Sequence, residues 1–166
     1  MEKQPMQYEI KKASPEDLPA ILKIYAGARA FMAKTGNPNQ WKTGHPPRQL
    51  LEQDIREGNL YVLSCEGEIH GVFAFFLGED PTYRVIQGNG WRSSAPYGTI
   101  HRIAGDGSGG ILHACVGFCR KQIGYLRIDT HEDNRVMQGA LKKEGFVPCG
   151  IIHIADGSPR IAYDLL

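Results

Sequence analysis

The chain has 166 residues, 42% of them hydrophobic and 22% charged, and a formal net charge of +1. That length is most simply one domain able to bury a good core, and the near-neutral balance excludes bulk electrostatic attraction to nucleic acid or an anionic membrane. No apolar run approaches 18 residues and Met1–Pro5 carries no apolar leader, so neither a membrane span nor export is expected.

Taken in order, Tyr8–Ala13 alternates weakly and reads as a short strand. Ser14-Pro15-Glu16-Asp17 is a helix start, with a capping hydroxyl, proline at the first helical position and acids in the first turn. Leu18, Ile21, Leu22, Tyr25, Ala28, Phe31 and Met32 recur at helical spacing and carry that helix to about Lys34. A loop rich in Gly, Asn and Pro follows, carrying Trp41 and His45. A second amphipathic helix spans about Pro47–Glu57 and ends at Gly58.

Asn59–Cys65 and Ile69–Leu77 read as a hairpin around Glu66-Gly67-Glu68, its second strand nearly all apolar and therefore central. From Gly78 to Tyr97 the pattern breaks into Gly, Pro, Asn, Ser and the aromatics Tyr83, Trp91 and Tyr97. That is long for a plain connection, and long loops in compact domains are often functional. Thr99–Ala104 is a strand, and the helix beginning near Ile111 buries Ile111, Leu112, Cys115, Val116, Phe118 and Cys119 before closing at Gly124. Tyr125–Thr130 is the next strand, so strand, loop, helix and strand make one βαβ unit with a parallel strand pair. Asn134–Glu144 forms a helix stopped by Gly145, and Phe146–Ile154 with Arg160–Leu166 makes a terminal hairpin. One α/β (α+β-like) domain is expected.

The four cysteines are Cys65, Cys115, Cys119 and Cys149. Cys115 and Cys119 stand one helical turn apart in an apolar run, which fits core packing. No His/Cys partner set at ligand spacing accompanies them, so no metal site is expected. Without an export signal, reduced thiols and a cytoplasmic address follow.

The chain is organised around the junction of strand and helix at Thr99–Leu112. Four glycines, Gly105, Gly107, Gly109 and Gly110, fall within six residues, with Asp106 and Ser108 between them. Little side chain screens the backbone there, and the N–H groups and positive dipole end of the following helix converge on one place. Such a loop is suited to a phosphate or pyrophosphate. Gly105-x-Gly107-x-x-Gly110 also satisfies the dinucleotide-binding pattern, with Asp129 about 20 residues on at a strand end, where a ribose-binding acid would sit. Against that reading, two helices and a hairpin precede the loop, and one helix and a hairpin follow Asp129. These do not supply the alternating parallel half that a dinucleotide fold needs.

The order strand, helix, helix, hairpin, strand, Gly-loop, helix, strand, helix, strand, strand resembles the GNAT superfamily of acyl-CoA-dependent N-acetyltransferases over essentially all of Tyr8–Leu166. The family's cofactor motif, Q/R-x-x-G-x-G/A between a strand and a helix, falls on Ala104-Gly105-Asp106-Gly107-Ser108-Gly109. Its downstream strand, Asn, helix and Gly-Phe fall on Ile128–Asn134 and Gly145-Phe146. The resemblance implies a mixed, mostly antiparallel central sheet, with a parallel pair splayed around the cofactor and helices on both faces. It implies acetyl-CoA as cosubstrate, with the loop amides from Gly105 to Gly110 on the pyrophosphate. The strand near Ile103 would lie along the pantetheine arm and Asn134 on its other side. Three features depart from the family: Ala104 replaces the motif's Gln or Arg, the usual valine-any-proline step before the loop is missing, and Leu141 stands where many members carry a tyrosine that acts as general acid for the leaving thiolate.

Direct acetyl transfer to a primary amine in a ternary complex needs a deprotonated amine and a polarised thioester. His101, on the strand feeding the loop, and His131, beside Asp129 at a strand end, are the candidate bases, since histidine exchanges protons near neutral pH. Strand alternation puts His101 and Ile103 on one face and Arg102 on the other. Each candidate also has a plain structural reading: a core-edge histidine for His101, a helix-entry hydrogen bond for His131 and a turn-fixing role for Asp129. By the resemblance, Asn37–Trp41 forms one wall of the acceptor site and the segment with Tyr83, Trp91 and Tyr97 the other. A small-molecule or peptide amine is the expected partner. The loop edges and hairpin termini are compatible with a homodimer, which nothing in the sequence favours. Two rival readings remain: a NAD- or NADP-dependent oxidoreductase built on Gly105, Gly107, Gly110 and Asp129, and an acyl-CoA-binding module without turnover.

Overall fold

Alternation of apolar side chains along the central strands buries both faces of one sheet. The computed structural model describes residues 6–41 and 44–166. Its strands are β1 (Glu9–Lys12), β2 (Leu60–Cys65), β3 (Glu68–Leu77), β4 (Gly98–Gly105), β5 (Leu126–Thr130), β6 (Val147–His153) and β7 (Pro159–Leu165), in the order β1-β2-β3-β4-β5-β7-β6. Its helices are α1 (Leu18–Lys34), α2 (Arg48–Arg56), α3 (Ile111–Gln122) and α4 (Arg135–Lys143). Val62, Val72 and Ala74 lie under α1 and α2, with Ile21, Tyr25 and Leu51. Leu63, Phe73 and Phe75 point to the other side, under Ile111, Cys115, Val116 and Cys119 of α3 and Leu141 of α4. Helices on both faces follow from this two-sided apolar pattern.

The local signals shape the helix ends. Ser14 donates through both its N–H and its hydroxyl to the Asp17 carboxylate (2.9 and 3.1 Å), so the chain enters a 3-10 turn at Pro15–Asp17 before α1 begins. Asn134 caps α4, its side-chain oxygen accepting from the Met137 N–H at 3.0 Å. All four cysteines are free, and Cys115 and Cys119 are buried in the core beneath α3. Among the described residues, no helix is long and apolar enough to cross a membrane.

Two departures from regular strands create the site. The parallel pairing of β4 with β5 covers only Gly98 with Leu126 and Thr99 with Arg127, after which the two strands separate. Opposite β3, the register slips by one residue between Val72–Ala104 and Ala74–His101. The extra residue makes a bulge at Arg102, whose φ is +53°. The bulge corrects the simple alternation expected for this strand. Arg102 turns to the α1/α2 side with Ala104, onto Asp54 of α2 and the ring of Phe76, whereas Ile103 packs with the α3 core. Tyr25 donates to the Arg102 carbonyl at 2.6 Å and clamps the bulge.

The Arg102–Asp54 pair (2.8 and 3.1 Å) holds the bulge from below, with the Asp54 side chain only 4% exposed. Removing one partner of such a pair strands the other charge in the interior. Asp54→Ala is therefore expected to destabilise the fold by about 3–5 kcal/mol, read as a fall in the urea midpoint. A change below about 1 kcal/mol, the worth of an exposed pair, would show that the pair is solvated.

Candidate functional site

Where β4 and β5 part, a cleft of about 140 Å³ opens, lined by residues of β4, β5, α1, α4, β7 and the segment after α1. His101, Arg102 and Ile103 all line it, together with Ile128, Asp129 and Thr130 across the gap. In a parallel pair that separates, the facing backbone edges lose their ladder partners, and an extended polar ligand can replace them.

The glycine loop stands at the β4 end of this cleft. Gly107, Gly109 and Gly110 have φ of +90°, +87° and +74°, conformations costly for residues with a Cβ. Close packing seats the helix that follows: a Cβ on Gly105 would lie 2.9 Å from Ile111 Cγ1, and one on Gly71 would lie 2.7 Å from Ile111 Cδ1. These two glycines let the first turn of α3 sit directly on the sheet. The first intrahelical acceptor is the Gly110 carbonyl, taken by Ala114 at 3.0 Å, so the N–H groups of Ile111, Leu112 and His113 precede the ladder. The loop's own carboxylate is tied down. Asp106 accepts from the Ser108 N–H (3.0 Å), and its other oxygen lies 2.7 Å from His70 Nδ1. Burial pushes the Asp106 pKa up, but the hydrogen bonds from Ser108 and His70 outweigh it and lower it overall. Tyr8 donates to the Gly109 carbonyl at 2.6 Å. Ala104 is buried below the loop.

His101 meets a partner that the sequence did not single out. Its Nε2 lies 2.7 Å from Asp80 Oδ2. Asp80 Oδ1 in turn accepts from the Thr82 N–H (2.9 Å) and hydroxyl (2.6 Å), and the Asp80 N–H donates to the Tyr97 hydroxyl at 2.8 Å. Burial alone would raise the Asp80 pKa; the hydrogen bonds from His101 and Thr82 reverse this and bring it to about 2. An ionised Asp80 facing Nε2 favours the N–H on that nitrogen, which leaves Nδ1 of the neutral ring to accept a proton. The only sequence signal for Asp80 was Asp80-Pro81-Thr82, an acid before proline that bonds the backbone two residues on.

The other expected site residues fall in different places. His131 is not in the cleft lining. Its Nδ1 accepts the Asp133 N–H at 3.0 Å, the helix-entry bond that was its plain reading. Asn134 is buried, with its oxygen on Met137 N and its Nδ2 donating to Gln40 Oε1 at 3.0 Å. The side-chain oxygen of Gln40 also accepts from Asn37, Thr130 and the His131 N–H, tying the segment after α1 to the end of β5. Asp129 does line the cleft, and its Oδ2 accepts the Tyr83 hydroxyl at 2.6 Å. Tyr83 is fully buried, and burial, followed by the nearby Asp129 charge, raises its pKa well above the usual value.

Tyr83 and Tyr97 therefore belong to a buried cluster with Tyr125 and Ile152, with Trp91 packed against it, rather than to the cleft wall. Trp91 donates to the Tyr83 carbonyl at 2.9 Å, and the Arg127 guanidinium lies 4.1 Å and 3.9 Å from the Trp91 and Tyr97 ring centres. Trp41 does line the cleft, edge-on to Tyr25. So does His45, whose pKa is lowered by burial and further by Arg102, Arg160 and Arg29. Leu141 is buried in the α3 core, so no acid reaches the cleft from that position. Among the described residues, no three His, Cys, Asp or Glu side chains come together as a metal site.

No family model and no curated protein matches this chain. Solved structures do. A GNAT-family acetyltransferase from Streptococcus agalactiae 2603 superposes with a TM-score of 0.86 at 31% identity, over 97% of this chain and 96% of its own. A GNAT-family acetyltransferase from Listeria monocytogenes 4b F2365 superposes with a TM-score of 0.69 at 18% identity, over 96% and 95%. The ribosomal-protein-S18-alanine N-acetyltransferase of Escherichia coli has a TM-score of 0.60 at 16% identity, over 96% and 93%.

Proposed function

Because this chain belongs to the GNAT family of acyl-CoA-dependent acetyltransferases, we propose that it moves an acetyl group from acetyl-CoA to a primary amine by direct attack in the cleft between β4 and β5. The observation that carries the reading is the continuity of three features along one strand. The opened β4 edge carries the His101–Asp80 pair at one end and the glycine loop with the α3 amides at the other. Acetyl-CoA supplies the activated thioester. The amides from Gly105 to Gly110 and the first turn of α3 hold its pyrophosphate, and the freed backbone beside Ile103 lines its pantetheine arm.

The acceptor arrives as ammonium and loses one proton to solvent before it attacks; His101 takes the second as the C–N bond forms and the C–S bond breaks, and returns it to solvent. Asp80 is its positioning residue. A thiol with a pKa of about 8.5 leaves as thiolate near neutral pH, so the absence of an acid at Leu141 does not block the step. Asp129, held by Tyr83, attracts the incoming ammonium. The four free thiols suit a reducing, cytoplasmic setting.

The dinucleotide reading is opposed by a sheet whose one parallel pair among the described residues is β4 with β5. A thermal-shift series separates the two. Acetyl-CoA and coenzyme A at 100 times Kd are expected to add about 2.7 kcal/mol, roughly 5–10 °C for a domain of this size. NAD and NADP are expected to give no shift. Stabilisation by a dinucleotide alone would overturn the proposal.

A further inference from the structure

Arg160 is a cation of this cleft whose hydrogen bonds go to uncharged groups. It lies on β7 and is only 5% exposed. Its Nη1 donates to Ser158 Oγ (3.1 Å) and to the Pro159 carbonyl (2.9 Å), and its Nη2 to the Gln40 carbonyl (3.3 Å). All three acceptors are uncharged. Asp129 and Asp156 act on it through space, and burial is the larger influence, opposing its charge. Two other guanidiniums are answered: the half-buried Arg102 by Asp54 at 2.8 Å, and the buried Arg127 by the rings of Trp91 and Tyr97. A guanidinium has five N–H donors, and these three bonds involve only Nη1 and Nη2. A buried charge is costly unless something of opposite sign meets it, and two guanidinium N–H groups suit a carboxylate.

Across the same cleft is the opposite pole. Asp129 on β5 lines it beside His101, while Met32, Trp41 and Ile154 supply apolar walls. With Arg102 of the lining held by Asp54, the cleft presents one cation without a bonded carboxylate, one anion and apolar sides, which is complementary to a small zwitterion. We propose that the acceptor is an amine bearing its own carboxylate, of the free amino-acid type, with the carboxylate on Arg160 and the ammonium drawn to Asp129 within reach of His101. The inference rests on the acetyltransferase reading and narrows its substrate. It disfavours polyamines, which have no anion for Arg160. It also disfavours peptide N-termini, whose carboxylate is remote or absent.

The test is thiol release from acetyl-CoA with the twenty common L-amino acids, each beside its carboxamide, together with spermidine. For at least one pair the acid is expected to exceed its amide in kcat/KM by on the order of 100-fold. R160Q is expected to bring acid and amide level, and R160K, which keeps the charge but loses the fork, to give an intermediate ratio. Amides turned over as well as acids, a preference that persists in R160Q, or acetylation of spermidine alone would each overturn the substrate class while leaving the acetyltransferase reading in place. Absence of any stabilisation by acetyl-CoA would instead bring down that reading, and this inference with it. Should R160Q fail to fold, the acid-to-amide ratio of the unaltered protein decides.

Discussion

Alanine at position 101 is expected to lower kcat for acetyl transfer by about 10²–10⁴-fold, with the affinity for acetyl-CoA unchanged. The imidazole is removed from the cleft, but the glycine loop lies beyond the bulge and loses no contact. A structural role for His101 would leave a different trace. Its ring is hydrogen-bonded to Asp80 and packs near Phe76 and Tyr83, so a purely structural loss would appear as a lower melting point and a raised KM. Two companion measurements separate the roles. Asp80→Asn keeps the shape but replaces the acceptor facing Nε2, and is expected to lower kcat with little change in KM. Adding 4-methylimidazole to His101→Ala is expected to recover part of the rate. Full activity in His101→Ala would assign the proton to His45 or to water.

Aspartate at position 109 is expected to weaken acetyl-CoA binding by on the order of 10²–10³-fold and to remove the thermal shift that the cofactor produces. Two effects add. At φ of +87° a side chain costs about 1–2 kcal/mol. The new carboxylate would also face a phosphate at short range, about 4 kcal/mol at 4 Å and an effective dielectric of 20. The loop already carries one carboxylate, Asp106, and it is answered by His70 and the Ser108 N–H. A second acid has no such answer there, and nothing lies within 4 Å of the Gly109 Cβ direction to hold it. The melting point without ligand separates the two effects: a loss of binding with a near-normal melting point assigns the change to charge. Unchanged affinity would move the pyrophosphate off this loop.

What was legible in the amino-acid sequence was what depends on neighbours along the chain. Apolar spacing of two or of three to four residues marked the strands and helices, because burial of one face imposes that period. The glycine density after β4 marked a loop, and Gly107, Gly109 and Gly110 there do take positive φ, because that conformation is a property of the residue itself. The buried Cys115 and Cys119, one turn apart, followed from the same periodicity. Side-chain direction beyond a register slip was not legible. The bulge at Arg102 depends on how β4 meets β3, and it undid the alternation expected of His101, Arg102 and Ile103.

The partners of the site residues were likewise set by chain segments far apart in sequence. Asp80 meets His101 across 21 positions, Tyr83 meets Asp129 across 46, and Gln40 meets Asn134 across 94. The aromatics of the Gly78–Tyr97 segment looked like a binding wall from composition, yet they pack into a core around Arg127, since aromatic rings serve either end equally well. Arg160 gave no signal at all in the sequence. A single arginine in a terminal strand acquires meaning only when β7 docks beside β5 and brings it to the cleft lining with its hydrogen bonds on uncharged groups. Local chain chemistry thus determined the elements and the glycine loop, whereas the register of the sheet decided which side chains meet in the cleft.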